Sequence, residues 1–202
     1  MSKVIVGNLA LSRLGQSGTI ENLETPKKPA ELTVAKWIDH ANRMAIQSLK
    51  PNFARKRVNI SRSKQTVDFP NDYYLYPYPA DCLEVLGIGN IEDKRNDFIV
   101  EGDFILTEYG EGGALPVRYV REVTNYSIMP ASYIEALSWF LASCINMEIT
   151  KDLNKQQFIE QKVMQTKREA SALNAMENRP IRISRSKMTA IKRGGVFGVS
   201  KK

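Results

Sequence analysis

The side chains that could do chemistry are few, and their spacing suits it poorly. The only histidine, His40, follows Asp39; a histidine beside a carboxylate is the base half of a nucleophilic triad. No serine or cysteine stands near as an obvious nucleophile, and a helical histidine among charged residues reads as a surface residue. Zinc needs a cluster of Cys and His, and Cys82, Cys144 and His40 lie far apart in sequence. Two cysteines also cannot make a disulfide framework. Glu21 and Glu24 could form a glycosidase carboxylate pair, but they fall in a polar loop and read as solvated acids. The run from Gly194 to Lys201 is rich in glycine and ends in Ser200-Lys201. It lacks the Gly-Lys-Ser/Thr order of a phosphate loop, and no strand and helix bracket it. The expectation is a protein without catalytic residues, cofactor or metal.

Charge is more informative. The chain has 202 residues and a net charge of +7. Arg179, Arg182, Arg185, Lys187, Lys192, Arg193, Lys201 and Lys202 lie in residues 179–202, which hold no acid. That tail carries +8, so residues 1–178 sum to −1. Eight cations could bind nucleic acid through counterion release, but Phe197 is the tail's only aromatic residue, so a base-stacking platform is missing. No apolar run approaches the ~20 residues of a membrane span. The N-terminal stretch reads as mature structure, since it lacks a small-residue cleavage site.

The elements that would position these residues follow from periodicity. Ser2 can cap a first helix with apolar Val4, Ile5, Leu9, Leu11 and Leu14, and Gly15 can end it. A second helix spans about Ala30 to Leu49. Its two overlapping stripes are Leu32, Ala35, Ile38, Ala41, Ala45 and Val34, Trp37, Ala41, Met44, and Pro51 stops it. Candidate strands are Arg57 to Ser61, Cys82 to Ile88, Phe98 to Glu101, Phe104 to Thr107 and Val117 to Arg121. Gly102-Asp103 reads as a tight hairpin turn, and Glu111-Gly112-Gly113 as another reversal. The aromatic, proline-punctuated stretch from Tyr73 to Pro79 should be extended. Ser132 to Thr150 reads as the most buried helix. Asn154 to Glu177 reads as a long polar helix with a narrow stripe of Phe158, Ile159, Val163, Ala170 and Leu173. Ile60-Ser61-Arg62-Ser63-Lys64 recurs as Ile183-Ser184-Arg185-Ser186-Lys187 with unmatched flanks. Either composition explains the repeat, or both copies are short strands meeting similar surfaces.

The predicted fold is α+β and mainly α. Residues 1–56 and 127–178 make a helical bundle, residues 57–126 an inserted antiparallel β-rich domain, and residues 179–202 an extended basic tail.

The order of several short motifs resembles the tail tubular protein A family, the head-to-tail adaptors of short-tailed bacteriophages. Leu9-Ala10-Leu11-Ser12-Arg13-Leu14-Gly15 is similar to the family's opening helix. Leu49-Lys50-Pro51-Asn52-Phe53-Ala54-Arg55-Lys56-Arg57 is similar to its Asn-Phe-Ala stretch, here without the preceding tryptophan. Tyr78-Pro79-Ala80-Asp81-Cys82-Leu83-Glu84-Val85 resembles its Pro-Ala-Asp-Cys element, with Glu84 where a basic residue is common. Val117-Arg118-Tyr119-Val120, Pro130 and Glu135-Ala136-Leu137 resemble the approach to its third helix.

The resemblance implies a structural virion protein. It would form a ring of about twelve subunits between the portal protein and the tail nozzle protein, with tail fibres as a further candidate partner. DNA would pass through the ring, no membrane would be involved, and assembly would take place in the host bacterial cytoplasm. The eight tail cations would dock to the portal, since a dense cationic collar in the lumen would hinder DNA passage. A nucleic-acid-binding accessory protein using the same tail is the alternative.

Overall fold

The computed structural model describes residues 2–17, 19–64, 73–89, 98–108 and 113–177. Four helices and two small antiparallel sheets make an α+β fold that is mainly helical, and all six strands lie in sequence between the second and third helices.

Helix α1 (Lys3–Arg13) ends as expected at Gly15. This residue takes φ +69° and donates its N–H to the Ser12 carbonyl, while the Gln16 N–H reaches back to Leu11. A left-handed residue lets the chain satisfy the last helical carbonyls in this way. Ser2 occupies the N-cap position, but its side chain makes no capping bond. Gly7, inside the helix, is a close-approach position: a Cβ there would sit 2.8 Å from Ile20 Cδ1 and 3.0 Å from Val34 Cγ1.

Helix α2 (Pro29–Leu49) starts with proline at its first position, where no N–H is needed. The buried Glu31 carboxylate accepts the Lys27 and Lys28 N–H groups at 2.9 and 3.1 Å. The broad double stripe narrows in the fold. Val34, Ile38, Ala41, Ala45, Ile46 and Leu49 are buried, whereas Leu32 is 54% and Met44 41% exposed. The neighbouring elements cover the side centred on Ile38 and leave these flanks to solvent.

The first sheet orders its strands β1 (Arg55–Ser61), β6 (Ala114–Arg121), β3 (Cys82–Ile88). The second orders them β2 (Tyr74–Pro77), β5 (Phe104–Thr107), β4 (Ile99–Glu101). The Tyr73–Pro79 stretch is thus a paired strand, with Tyr76 opposite Ile105. The Gly102-Asp103 hairpin joins β4 to β5 as predicted, with Glu101 opposite Phe104. Strand β6 extends three residues beyond the predicted start, through Pro116. Proline cannot donate to a ladder, and its position here uses only the carbonyl, which accepts the Gly89 N–H at 2.8 Å.

Helix α3 (Ala131–Ile149) is the most buried of the four and has the other three packed on it. Helix α4 (Leu153–Glu177) starts at Asp152, whose carboxylate accepts the Asn154 and Lys155 N–H groups. Its buried stripe is narrower than predicted. Ile159 is buried and Val163 and Ala170 half-buried, while Phe158 and Leu173 are about half exposed.

Two cores result. The larger joins the helices, and the smaller lies between the sheets around Tyr76, Ile88, Ile105, Leu115, Val117 and Tyr119. Strand β6 serves both, because successive strand side chains point to opposite faces: Tyr119 enters the β core and Val120 the helical core. Strand β3 also serves both, through register shifts between Cys82 and Glu84 and between Val85 and Gly87. These bulges let Cys82, Val85 and Ile88 face the β core while Leu83 and Leu86 face the helices.

Candidate assembly surfaces

The residues nominated for chemistry are held apart. His40 is exposed and lies edge-on to Trp37 at 5.7 Å, while its neighbour Asp39 pairs with Lys3 at 2.7 Å. Burial pushes both thiols, Cys82 and Cys144, above the ordinary cysteine value, so neither is an activated thiolate. Cys82 belongs to the β core and Cys144 to the helical core. Glu21 pairs with Lys28 at 2.9 Å, and Glu24 is exposed. No group of three metal-ligating side chains, and no helix long and apolar enough to cross a membrane, occurs among the described residues. A cleft of 80 Å³ lies between Leu49, Phe53, Tyr133, Leu173 and Asn174. Small-molecule sites usually exceed about 300 Å³, so this cleft suits a few waters.

The motif residues, by contrast, meet one another. Arg13, at the end of α1, reaches Glu135 of α3 at 2.6 Å and donates to the Ser138 hydroxyl at 2.9 Å. Its guanidinium also lies 4.0 Å from the centre of the Trp139 ring. Asp81 accepts the Tyr119 hydroxyl at 2.7 Å and the Lys56 ammonium at 3.0 Å. Burial pushes the Asp81 carboxyl up, but these two partners outweigh it and hold it below the usual range. Phe53 stacks edge-on against Tyr133 at 4.9 Å, and the Asn52 side chain donates to the Asn174 carbonyl. Glu84, where the resembled family is commonly basic, is paired with Lys50 of the preceding motif. These are ties that hold a scaffold together.

Two surfaces carry charges that have no ion-pair partner among the described residues, and sequence reading had missed both. The first is the uncovered end of the helix-side face of the β1–β6–β3 sheet, beyond Val120, Leu83 and Leu86, which pack on the helical core. Arg57 stands directly opposite Arg118, both exposed, with Asn59 and Ser61 further along the same face. Side chains so placed are about 5 Å apart at Cβ, and like charges there are destabilising. Arg55 adjoins them; burial, with Arg118 adding to it, holds its guanidinium below the ordinary arginine value. Among the described residues, none of the three has a carboxylate within ion-pair distance.

The second surface is the β4–β5 hairpin. Ile99, Val100, Glu101, Gly102 and Asp103 are all exposed, and Gly102 at φ +53° has open space around it. Neither acid has an ion-pair partner among the described residues. The signal that could have found these surfaces is local charge. Residues 1–64 hold twelve bases and four acids, and residues 65–117 hold eleven acids and two bases. The near-neutral total of residues 1–178 hides this polarity.

The sequence-predicted docking residues Arg179, Arg182, Arg185, Lys187, Lys192, Arg193, Lys201 and Lys202 lie outside the described residues, as do the second repeat copy and the glycine-rich run. The first repeat copy ends strand β1: Ile60 and Ser61 pair with Leu115 and Ala114, and the Arg62 guanidinium covers the Tyr74 ring at 4.1 Å. No protein-family model matches the chain, and no curated protein matches it.

Proposed function

We propose that this chain is a structural virion protein, a head-to-tail adaptor whose ring joins the portal to the tail nozzle and forms part of the DNA ejection channel. The observation that carries the reading is the set of motifs shared in order with that family, taken with what those residues do here. Arg13 ties to Glu135 and Asp81 to Tyr119, so the resembling residues are those a common scaffold would need. The four helices would serve as the ring-forming bundle. The β region would face the tail components, and the eight cations from Arg179 to Lys202 would dock to the portal.

The test is antibody-gold labelling of this chain on intact virions. Label at the single vertex where head meets tail supports the reading; absence from opened particles overturns it. Deleting residues 179–202 should leave a folded body that no longer joins filled heads, and normal joining would remove the portal role of the tail.

The tail's eight cations also favour a second reading, an accessory protein that binds nucleic acid. It requires DNA affinity that falls steeply with salt and disappears when the tail is deleted.

A further inference from the structure

We propose that the acidic tip of the β4–β5 hairpin of one copy seats on the exposed arginine end of the β1–β6–β3 sheet of a second copy. The facing Arg57 and Arg118 raise the question of what anion they meet. An exposed like-charge pair directly across two strands opposes pairing of those strands, and nothing described within the chain relieves it. The same chain carries its complement. Glu101 and Asp103 flank a glycine turn open to solvent, on a strand whose apolar Ile99 and Val100 are each 46% exposed. Two guanidinium forks meeting two carboxylates is the geometry that arginine favours.

The two surfaces are different parts of one molecule, so the contact is head-to-tail. Repeated through a fixed rotation, it closes into a ring or grows into a filament. In the adaptor reading this contact would add to those of the helical bundle, and only its closure into a ring rests on that reading; the contact itself requires two copies and nothing else. Duplex DNA is the competing anion. Strong backbone binders make about six to ten phosphate contacts, whereas this face offers three arginines. The acidic hairpin, with two carboxylates, matches it better. Ion pairs of this exposure contribute modestly and are screened by salt, so each contact is weak and several around a ring reinforce one another.

The experiment is sedimentation of the full chain over a concentration series at low and high ionic strength. Three samples are needed besides the wild type: R57E/R118E, E101K/D103K and their equimolar mixture. The wild type should self-associate at low salt and dissociate at high salt. Each variant alone faces like charge across the contact, which should weaken association on the order of a hundredfold. The mixture should recover it, because each face then meets its opposite. Unchanged association of either variant overturns the proposal, as does failure of the mixture to recover. A wild type that stays monomeric throughout also overturns it, even if virion labelling places the chain at the head–tail vertex. A short duplex whose binding is lost in R57E/R118E, with self-association untouched, would assign the face to nucleic acid. Circular dichroism spectra matching the wild type show that the variants fold.

Discussion

The helical region and the β region differ in how far their charges are paired. Around the helices, ions are joined across elements: Lys3 to Asp39, Arg13 to Glu135, Lys36 to Glu148 and Arg43 to Glu122. In the β region Lys56 pairs with Asp81, but Arg57 faces Arg118, and neither the Glu101 nor the Asp103 carboxylate has an ion-pair partner among the described residues. The cores differ too. The helical core draws on every helix and on the end of β6, whereas the β core is a cluster of six buried residues among those described. Elements with few buried apolar contacts open first. The sheets, with the smaller buried core, are thus the region expected to open first, and the charges at their exposed ends lack the cross-element partners that tie the helices together among the described residues.

The largest expected effect lies in the two cores. Leu137→Ala, at a side chain of 0% exposure, should lower global stability by ~3–5 kcal/mol in denaturant titration. Ile105→Ala, also at 0% exposure, should cost ~2–4 kcal/mol within the β core. Hydrogen exchange should then quicken in β2, β4 and β5 and stay protected in α3. Equal loss of protection in both regions would mean that they unfold as one unit and would break the comparison.

Next comes the joint between them. Buried Asn42 donates to the Val123 carbonyl just after β6 and accepts the Tyr133 hydroxyl from α3. Asn42→Leu strands the Val123 carbonyl and leaves the Tyr133 hydroxyl only the Asn42 main-chain carbonyl, which should cost ~1–3 kcal/mol in thermal or denaturant melts. No loss would show that β6 is anchored by Val120 alone.

Acid should act on the helices through Glu31. The Lys27 N–H first, then that of Lys28, holds its carboxylate below the usual value of 4.5. A depressed pKa gives stability that is complete above the unfolded value and lost as pH falls through the folded one. Melting temperature should therefore drop below about pH 4.5, and Glu31→Gln should flatten that drop while lowering the neutral-pH value. An unchanged acid limb would move the effect to Asp81 or Glu148, whose carboxyls are held down by other partners.

The smallest effect has the opposite sign. Arg57→Glu replaces a repulsive cross-strand pair with an attractive one and should raise stability by ~0.5 kcal/mol. The same variant should weaken self-association. A variant at once more stable and less able to associate would sharpen the contrast between the regions; a destabilised one would mean that the arginines already have partners.

Much of the fold was legible because helices and strands announce themselves by period. Gly15, Pro51 and the Gly102-Asp103 turn marked ends that local backbone sterics dictate. What was missed depends on neighbours. Leu32 and Met44 fit a helical stripe, yet no adjoining element covers them. Gly7 reads as an ordinary helical glycine until Ile20 and Val34 are brought against it. The two bulges of β3 give no clear signal, because Cys82 to Ile88 reads as one apolar run. Of the candidate surfaces, the acidic and basic segments were countable in the sequence, but the pairing of Arg57 with Arg118 was not.

By itself, then, the sequence determined the elements, their order, the single histidine and the basic tail, because each follows from composition or from spacing along one chain. Tertiary structure decided which helix flanks are covered, that β6 joins two cores, and that like charges face each other while exposed acids stand on a separate hairpin. Such choices depend on residues far apart in the chain, and strand register fixes them: a slip of one residue would turn Arg57 to the opposite face.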